Sequence, residues 1–210
     1  MPIKVESSVL VIFLMSLFEL LFLIPTLIYA KLRKKGLKKY LGKFFKINYK
    51  SKTNLVLGIF SISIALNMII WAPLIITFLR NSFIFIFGPE LFQQAEQNLN
   101  EFIIIIQYPS DFILLFIMNF LVIALNEELF FRGFLIDALK TRKNMRILFS
   151  SIFFSIYHLI TSFNIYSFIY MFLYYFIWGL ILSLIVYVSK NKLIFPIITH
   201  GLFNFLLYFC

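Results

Sequence analysis

Residues 111–139 read DFILLFIMNFLVIALNEELFFRGFLIDAL, and the interpretation of this stretch decides the fold. It is long enough to cross about 30 Å of hydrocarbon as one helix, a task that takes about 20 apolar residues. Yet it carries Glu127 and Glu128 side by side, with Arg132 four residues beyond the second. A carboxylate at bilayer depth costs about 2.5–3.5 kcal/mol on insertion scales, so two adjacent ones need partners or a task. The two histidines of the chain, His158 and His200, also sit inside apolar segments. The groups best suited to proton chemistry are therefore placed where they cost most.

The surrounding chain agrees with a membrane setting. Of its 210 residues 62% are hydrophobic and 13% charged, where soluble domains average about 45–50% and about 25%. The mean hydropathy is +0.96. A soluble enzyme is excluded, and an all-α polytopic integral membrane protein with a polar intramembrane cavity is expected. A single cysteine, Cys210, allows no disulfide within the chain. Apolar segments mark six expected spans, near 8–30, 54–79, 111–139, 147–163, 166–189 and 193–210. The first is too long for a signal-peptide core and is expected to be retained, with its Glu19 facing the protein interior. Residues 82–87 can extend the second span, whereas residues 102–106 are too few to cross alone. Residues 1–110 are expected to form a two-span region and 111–210 the helical core that carries the chemistry, within one structural domain.

The loops set the orientation. From Lys31 to Lys52 there are ten Lys or Arg and no acid, and Lys140, Arg142, Lys143, Arg146, Lys190 and Lys192 flank two later turns. The alternate loops differ: the long one has Arg80 against Glu90, Glu96 and Glu101, and the one near Thr161 is uncharged. Positive loops stay on the cytoplasmic side. All three basic loops then share that side, and both termini are expected outside. The net charge of +10 follows from topology, so the expected partner is the lipid bilayer and not nucleic acid. Leu37, Leu41, Phe44 and Phe45 against the surrounding lysines suggest a basic helix resting on an anionic leaflet. Phe92, Ala95, Leu99 and Phe102 suggest a second amphipathic helix after Pro89, a surface helix or a lid within residues 81–110.

Depth counting brings the polar residues together. Glu127 precedes Lys140 by 13 residues, His158 follows Arg146 by 12, and Asn204 follows Lys192 by 12. At ~1.5 Å per residue all three lie about 18–20 Å from the basic side, and His200 about 12 Å. Glu128 and Arg132 share a helical face, which leaves Glu127, about 100° away, free to face a cavity. His200 and Asn204 share a face, as do Phe154 and His158. Each feature alone has an ordinary explanation: a structural or transport ion pair, or a histidine satisfied in a helical core. Together they suit hydrolysis of a peptide bond, with Glu127 as base, His158 sharing its water, and His200 and Asn204 donating to the oxyanion. A zinc ion on Glu127, His158 and His200 is the alternative, although no His-Glu-x-x-His helix is present.

Residues 127–132 (Glu-Glu-Leu-Phe-Phe-Arg), 154–158 (Phe-Ser-Ile-Tyr-His) and 200–204 (His-Gly-Leu-Phe-Asn) resemble, in order, the three signatures of the CAAX prenyl protease and bacteriocin-processing family, also called Abi. Gly133 after Arg132, the Tyr175 to Gly179 segment, and Phe195-Pro196 ahead of His200 fit the same pattern. The resemblance covers residues from about Leu115 onward, and residues 1–110 match only in being hydrophobic and basic. It implies an intramembrane endopeptidase acting on a peptide or protein substrate, prenylated in some members, with bacteriocin maturation or self-immunity as the role of others. It assigns Glu127 and His158 to water activation, His200 and Asn204 to the oxyanion, and Glu128 and Arg132 to support. No cofactor is required on the glutamate-driven mechanism, and zinc is the variant. Six spans are fewer than prenyl-processing members often have. The rival functions are a non-catalytic immunity or partner-binding membrane protein, and a transporter, which the lack of repeated halves disfavours. The sequence is silent on oligomeric state.

Overall fold

The computed structural model describes residues 4–33, 36–46, 48, 50–97, 101–106, 108–160 and 164–209. Leu99, Lys34, Cys210 and the uncharged turn at 161–163 lie outside them. Eight helices dominate the described residues. They are α1 (Val9–Leu32), α2 (Leu37–Phe45), α3 (Lys52–Phe87), α4 (Pro89–Gln97), α5 (Pro109–Ala138), α6 (Lys143–Leu159), α7 (Ile165–Val188) and α8 (Ile194–Leu206). The protein is a helical polytopic membrane protein, with helices at all six expected positions. Four of them, α1, α3, α5 and α7, are long and apolar enough to cross. At ~1.5 Å per residue α6 and α8 reach only about 25 and 20 Å, so six full-length spans is an over-count. Hydropathy counted apolar residues that the last turns of these helices do not include.

Two further features were not foreseen. Lys4–Ser8 (β1) and Glu101–Ile105 (β2) pair in parallel, Lys4 opposite Glu101 and Ser8 opposite Ile105. Phe102 therefore lies in a strand and does not continue the helix of Phe92 and Ala95. Those two residues are buried in α4, where Phe92 meets Tyr170 of α7 at 5.3 Å and Ser167 Oγ donates to the Ala95 carbonyl at 2.6 Å. The second feature is the docking of α2, itself an expected helix. Its buried residues are Tyr40 and Phe44, while Leu37 is exposed. The aromatic pair docks on α1 and α5, Tyr40 against Tyr29 at 5.9 Å, with Leu41 and Phe45 partly buried in the same cluster.

Backbone satisfaction shapes α5. In hydrocarbon every amide and carbonyl needs an internal partner. Helix α5 begins on Pro109 and is capped by Asp111, whose carboxylate accepts from the Tyr108 amide at 3.0 Å. It then widens twice into π-type turns, at Met118–Ala124 and Glu128–Leu135. Such turns displace carbonyls from the α ladder and recur at functional sites. Ser150 Oγ of α6 donates to the Phe131 carbonyl at 2.9 Å and Tyr40 O–H to that of Gly133 at 3.5 Å.

Small residues bring the site helices close, as expected where lipid supplies no hydrophobic drive between them. A Cβ on Gly179 of α7 would lie 2.9 Å from the Ser151 Cα of α6, and one on Gly201 of α8 would lie 2.6 Å from the Phe120 ring of α5. Thr199 Oγ1 of α8 donates to the Ser61 carbonyl of α3 at 3.1 Å. The turn between α7 and α8 reverses through Lys190 and Asn191, both left-handed at φ 55° and 65°, and the Asn191 amide closes on the Val186 carbonyl at 2.9 Å. That reversal returns α8 across the bundle and places His200 opposite α5.

Candidate active site

Helices α5, α6 and α8 bring Glu127, His158, His200 and Asn204 to the wall of one cavity of about 610 Å³. Glu128 and Arg132 lie behind that wall. Their side chains are fully buried, with Arg132 Nη1 at 3.1 Å from Glu128 Oε1. Arg132 Nη2 donates to the Gly179 carbonyl of α7 at 3.2 Å, and the guanidinium lies 4.3 Å from the Phe154 ring centre. The arginine thus holds three helices as well as one carboxylate.

Glu128 Oε1 has a second partner, the Nδ1 of His200 at 3.0 Å. This contact fixes the His200 ring so that Nε2 is the nitrogen on the Glu127 side. Glu127 Oε2 is 4.0 Å from His200 Nε2 and 3.8 Å from His158 Nε2. It is buried and has no hydrogen-bond partner among the described residues. Both gaps exceed a direct hydrogen bond, and one oxygen atom between these groups can reach more than one of them.

His158 is held just as firmly. Its Nδ1 lies 3.0 Å from the Phe154 carbonyl. A carbonyl only accepts, so Nδ1 carries the proton and the neutral ring presents a lone pair at Nε2. The imidazole is clamped between Phe154, 4.2 Å away, and Tyr175 of α7, stacked at 4.7 Å. Asn204 lines the cavity one turn from His200, with no hydrogen bond of its own among the described residues.

One sequence expectation shifts. Depth counting put His200 below the layer of Glu127, His158 and Asn204, yet His200 sits within 4.0 Å of Glu127. The count assumed straight α geometry from Glu127 to Lys140. The π-type turns at Glu128–Leu135 advance less along the axis per residue, which lowers Glu127 toward His200.

Glu19, expected to face the protein interior, gains a partner that the sequence reading did not name. Tyr157 O–H donates to Glu19 Oε1, and both residues line the cavity. Glu19 is the only charged residue within residues 9–30, the one signal that could have drawn it in. The Tyr175 to Gly179 segment was singled out from the sequence, but not the stack of Tyr175 on His158 or the Gly179 carbonyl's bond from Arg132.

A zinc ion on Glu127, His158 and His200 would need donors about 3.3 Å apart, the edge of a tetrahedron with bonds near 2.0–2.1 Å. The observed spacings of 3.8 and 4.0 Å are wider. Among the described residues no group of three or more His, Cys, Asp or Glu is placed to hold a metal. As arranged, the set does not fit zinc, and no step below passes through a metal.

Residues 109–206 match the family described as type II CAAX prenyl endopeptidase Rce1-like. No curated protein and no solved structure matches the chain. The matched residues run from the start of α5 to the end of α8 and contain every cavity residue named above except Glu19.

Proposed function

We propose that this chain, whose residues 109–206 match the type II CAAX prenyl endopeptidase Rce1-like family, is an intramembrane endopeptidase that cleaves with a water activated by Glu127 and His158. The observation that carries the reading is the unpartnered Glu127 Oε2, buried in the cavity between two imidazole nitrogens. A buried carboxylate without a partner is costly unless a ligand or reacting water completes it.

The chemistry follows from the fixed orientations. A water between Glu127 Oε2 and His158 Nε2 is an acceptor-bound nucleophile, because both groups offer lone pairs. Glu127 takes one proton as the water oxygen bonds to the scissile carbonyl carbon. The carbonyl oxygen becomes an oxyanion. Asn204 Nδ2–H donates to it, and His200 is assigned as the second oxyanion donor. The C–N bond then breaks as the proton on Glu127 passes to the leaving nitrogen. The products are a new carboxyl group and an amine. Glu128 and Arg132 act through His200: one orients the ring, and the other balances the charge of the first. We further place the basic loops on the cytoplasmic side, because Lys and Arg cluster there and are sparse between α3 and α5.

The test is turnover of paired prenylated and unprenylated peptides by purified protein, with and without a strong zinc chelator. Cleavage that survives the chelator is expected. Cleavage abolished by the chelator and restored by zinc would overturn the metal-free mechanism, and cleavage of no peptide would overturn the function.

A further inference from the structure

The first helix contributes to the cavity a carboxylate that the family-matched segment does not contain. Glu19 stands near the middle of α1, a helix whose surface is otherwise mostly open to lipid. A charge there is expensive. The chain holds it in a defined pose. Leu17–Phe22 tightens into a 3-10 turn, in which residues three apart eclipse, so Glu19 and Phe22 share one line. Phe22 anchors that line, with its ring 4.7 Å from those of Phe130 and Tyr157. Tyr157 O–H occupies Glu19 Oε1, while Glu19 Oε2 is buried without a hydrogen-bond partner among the described residues. Tyr157 is one of six aromatic residues that line the cavity, with Tyr174, Tyr175, Trp178, Phe154 and Phe203, beside the aliphatic Ile76, Ile123 and Leu182.

Glu128 is matched by Arg132 behind the cavity wall, but Glu19 and Glu127 face the cavity with no Lys or Arg among the lining residues. A carboxylate oxygen set among aromatic rings is the arrangement that recognises an ammonium or guanidinium group, through a charge-assisted hydrogen bond and cation–π attraction. We propose that Glu19 forms a subsite for a basic side chain of the peptide substrate, Lys or Arg, near the scissile bond. The inference rests on the endopeptidase reading and deepens it. It assigns selection of the substrate to α1 and bond cleavage to α5, α6 and α8.

The test separates binding from cleavage. In a Glu127→Gln background reconstituted in nanodiscs, binding is measured for a fluorescent, N-acetylated apolar peptide carrying one central Lys, and for its norleucine and Glu counterparts. A norleucine peptide with a free N-terminus distinguishes a side-chain ammonium from a terminal one. The Lys peptide is expected to bind at least about tenfold tighter than the norleucine peptide, the low end for a hydrogen bond to a charged group. Glu19→Gln should erase that preference and Glu19→Asp should keep most of it. Equal binding of Lys and norleucine peptides to the Glu19 protein overturns the subsite. So does a Glu19→Gln change that weakens all peptides alike, the mark of a helix tether. Tighter binding of the free N-terminus than of the Lys side chain overturns it as well. Cleavage is scored separately with Glu127 intact, so a Lys preference in binding without cleavage overturns the catalytic reading and leaves the subsite standing.

Discussion

Replacing Arg132 with methionine keeps an unbranched chain in place but removes the cation from a fully buried pair. Arg132 is 1% exposed. It sits 3.1 Å from Glu128 Oε1, donates to Gly179 at 3.2 Å, and lies over Phe154. Removing one member of a buried pair costs about 3–5 kcal/mol, most of it for the charge left behind. The lost bond to Gly179 adds only about 0.6 kcal/mol, the average for polar contacts inside membranes. Arg132→Met should therefore lose about 3–5 kcal/mol. The double variant Glu128→Gln/Arg132→Met removes both charges and keeps an amide oxygen for His200 Nδ1. It should return to within about 1–2 kcal/mol of the parent, since neutral replacement of buried pairs is often tolerated. Glu128→Leu/Arg132→Met should be as stable as that double variant yet lose turnover, because His200 has lost its acceptor. Reversible unfolding in mixed micelles, followed by the fluorescence of the buried Trp178, measures the first two, and peptide cleavage the third. A cost below about 1 kcal/mol for Arg132→Met, or a Gln/Met double variant no more stable than the single one, would refute the electrostatic reasoning.

Other changes follow from the same geometry. Asn204→Ala removes one oxyanion donor and should lower kcat by about 10²–10³ with little change in KM, as read from initial rates on one peptide. Gly201→Ala meets the Phe120 ring at 2.6 Å, a side chain that can rotate, so it should cost about 1–3 kcal/mol and be eased by Phe120→Leu. Gly179→Ala meets the Ser151 backbone at 2.9 Å, where nothing can rotate away. It should destabilise more, with no rescue from a smaller residue at Ser151, and the same unfolding assay ranks the two.

Most of the architecture was legible because a membrane imposes one rule, that apolar runs of sufficient length become helices. The order and spacing of Glu127, His158, His200 and Asn204 were also readable, since spacing along a helix fixes faces. Three things were not. The contact of Glu128 with His200, added to the expected pair with Arg132, depends on a chain reversal at Lys190 and Asn191, which no periodicity announces. The levels of His200 and Glu127 depend on π-type turns, whereas sequence counting assumes a uniform rise. The docking of Tyr40 on Tyr29 joins α2 to α1, a tertiary contact that the apolar stripe of α2 does not announce. Glu19 was visible as a lone charge, but its meeting with Tyr157 joins residues 138 positions apart.

The central claim is that Glu127 activates water while Glu128 serves the neighbouring histidine. The most direct measurement is the cleavage rate of one peptide by Glu127→Gln, His158→Ala and the parent protein, each verified as folded by its unfolding curve. Loss of a general base is worth about 10²–10⁴ in rate, so both variants should fall by at least about 10² with parental stability. Turnover within about tenfold of the parent in the folded Glu127→Gln protein would contradict the account, because no other group in the cavity holds an unpartnered carboxylate oxygen against both imidazoles.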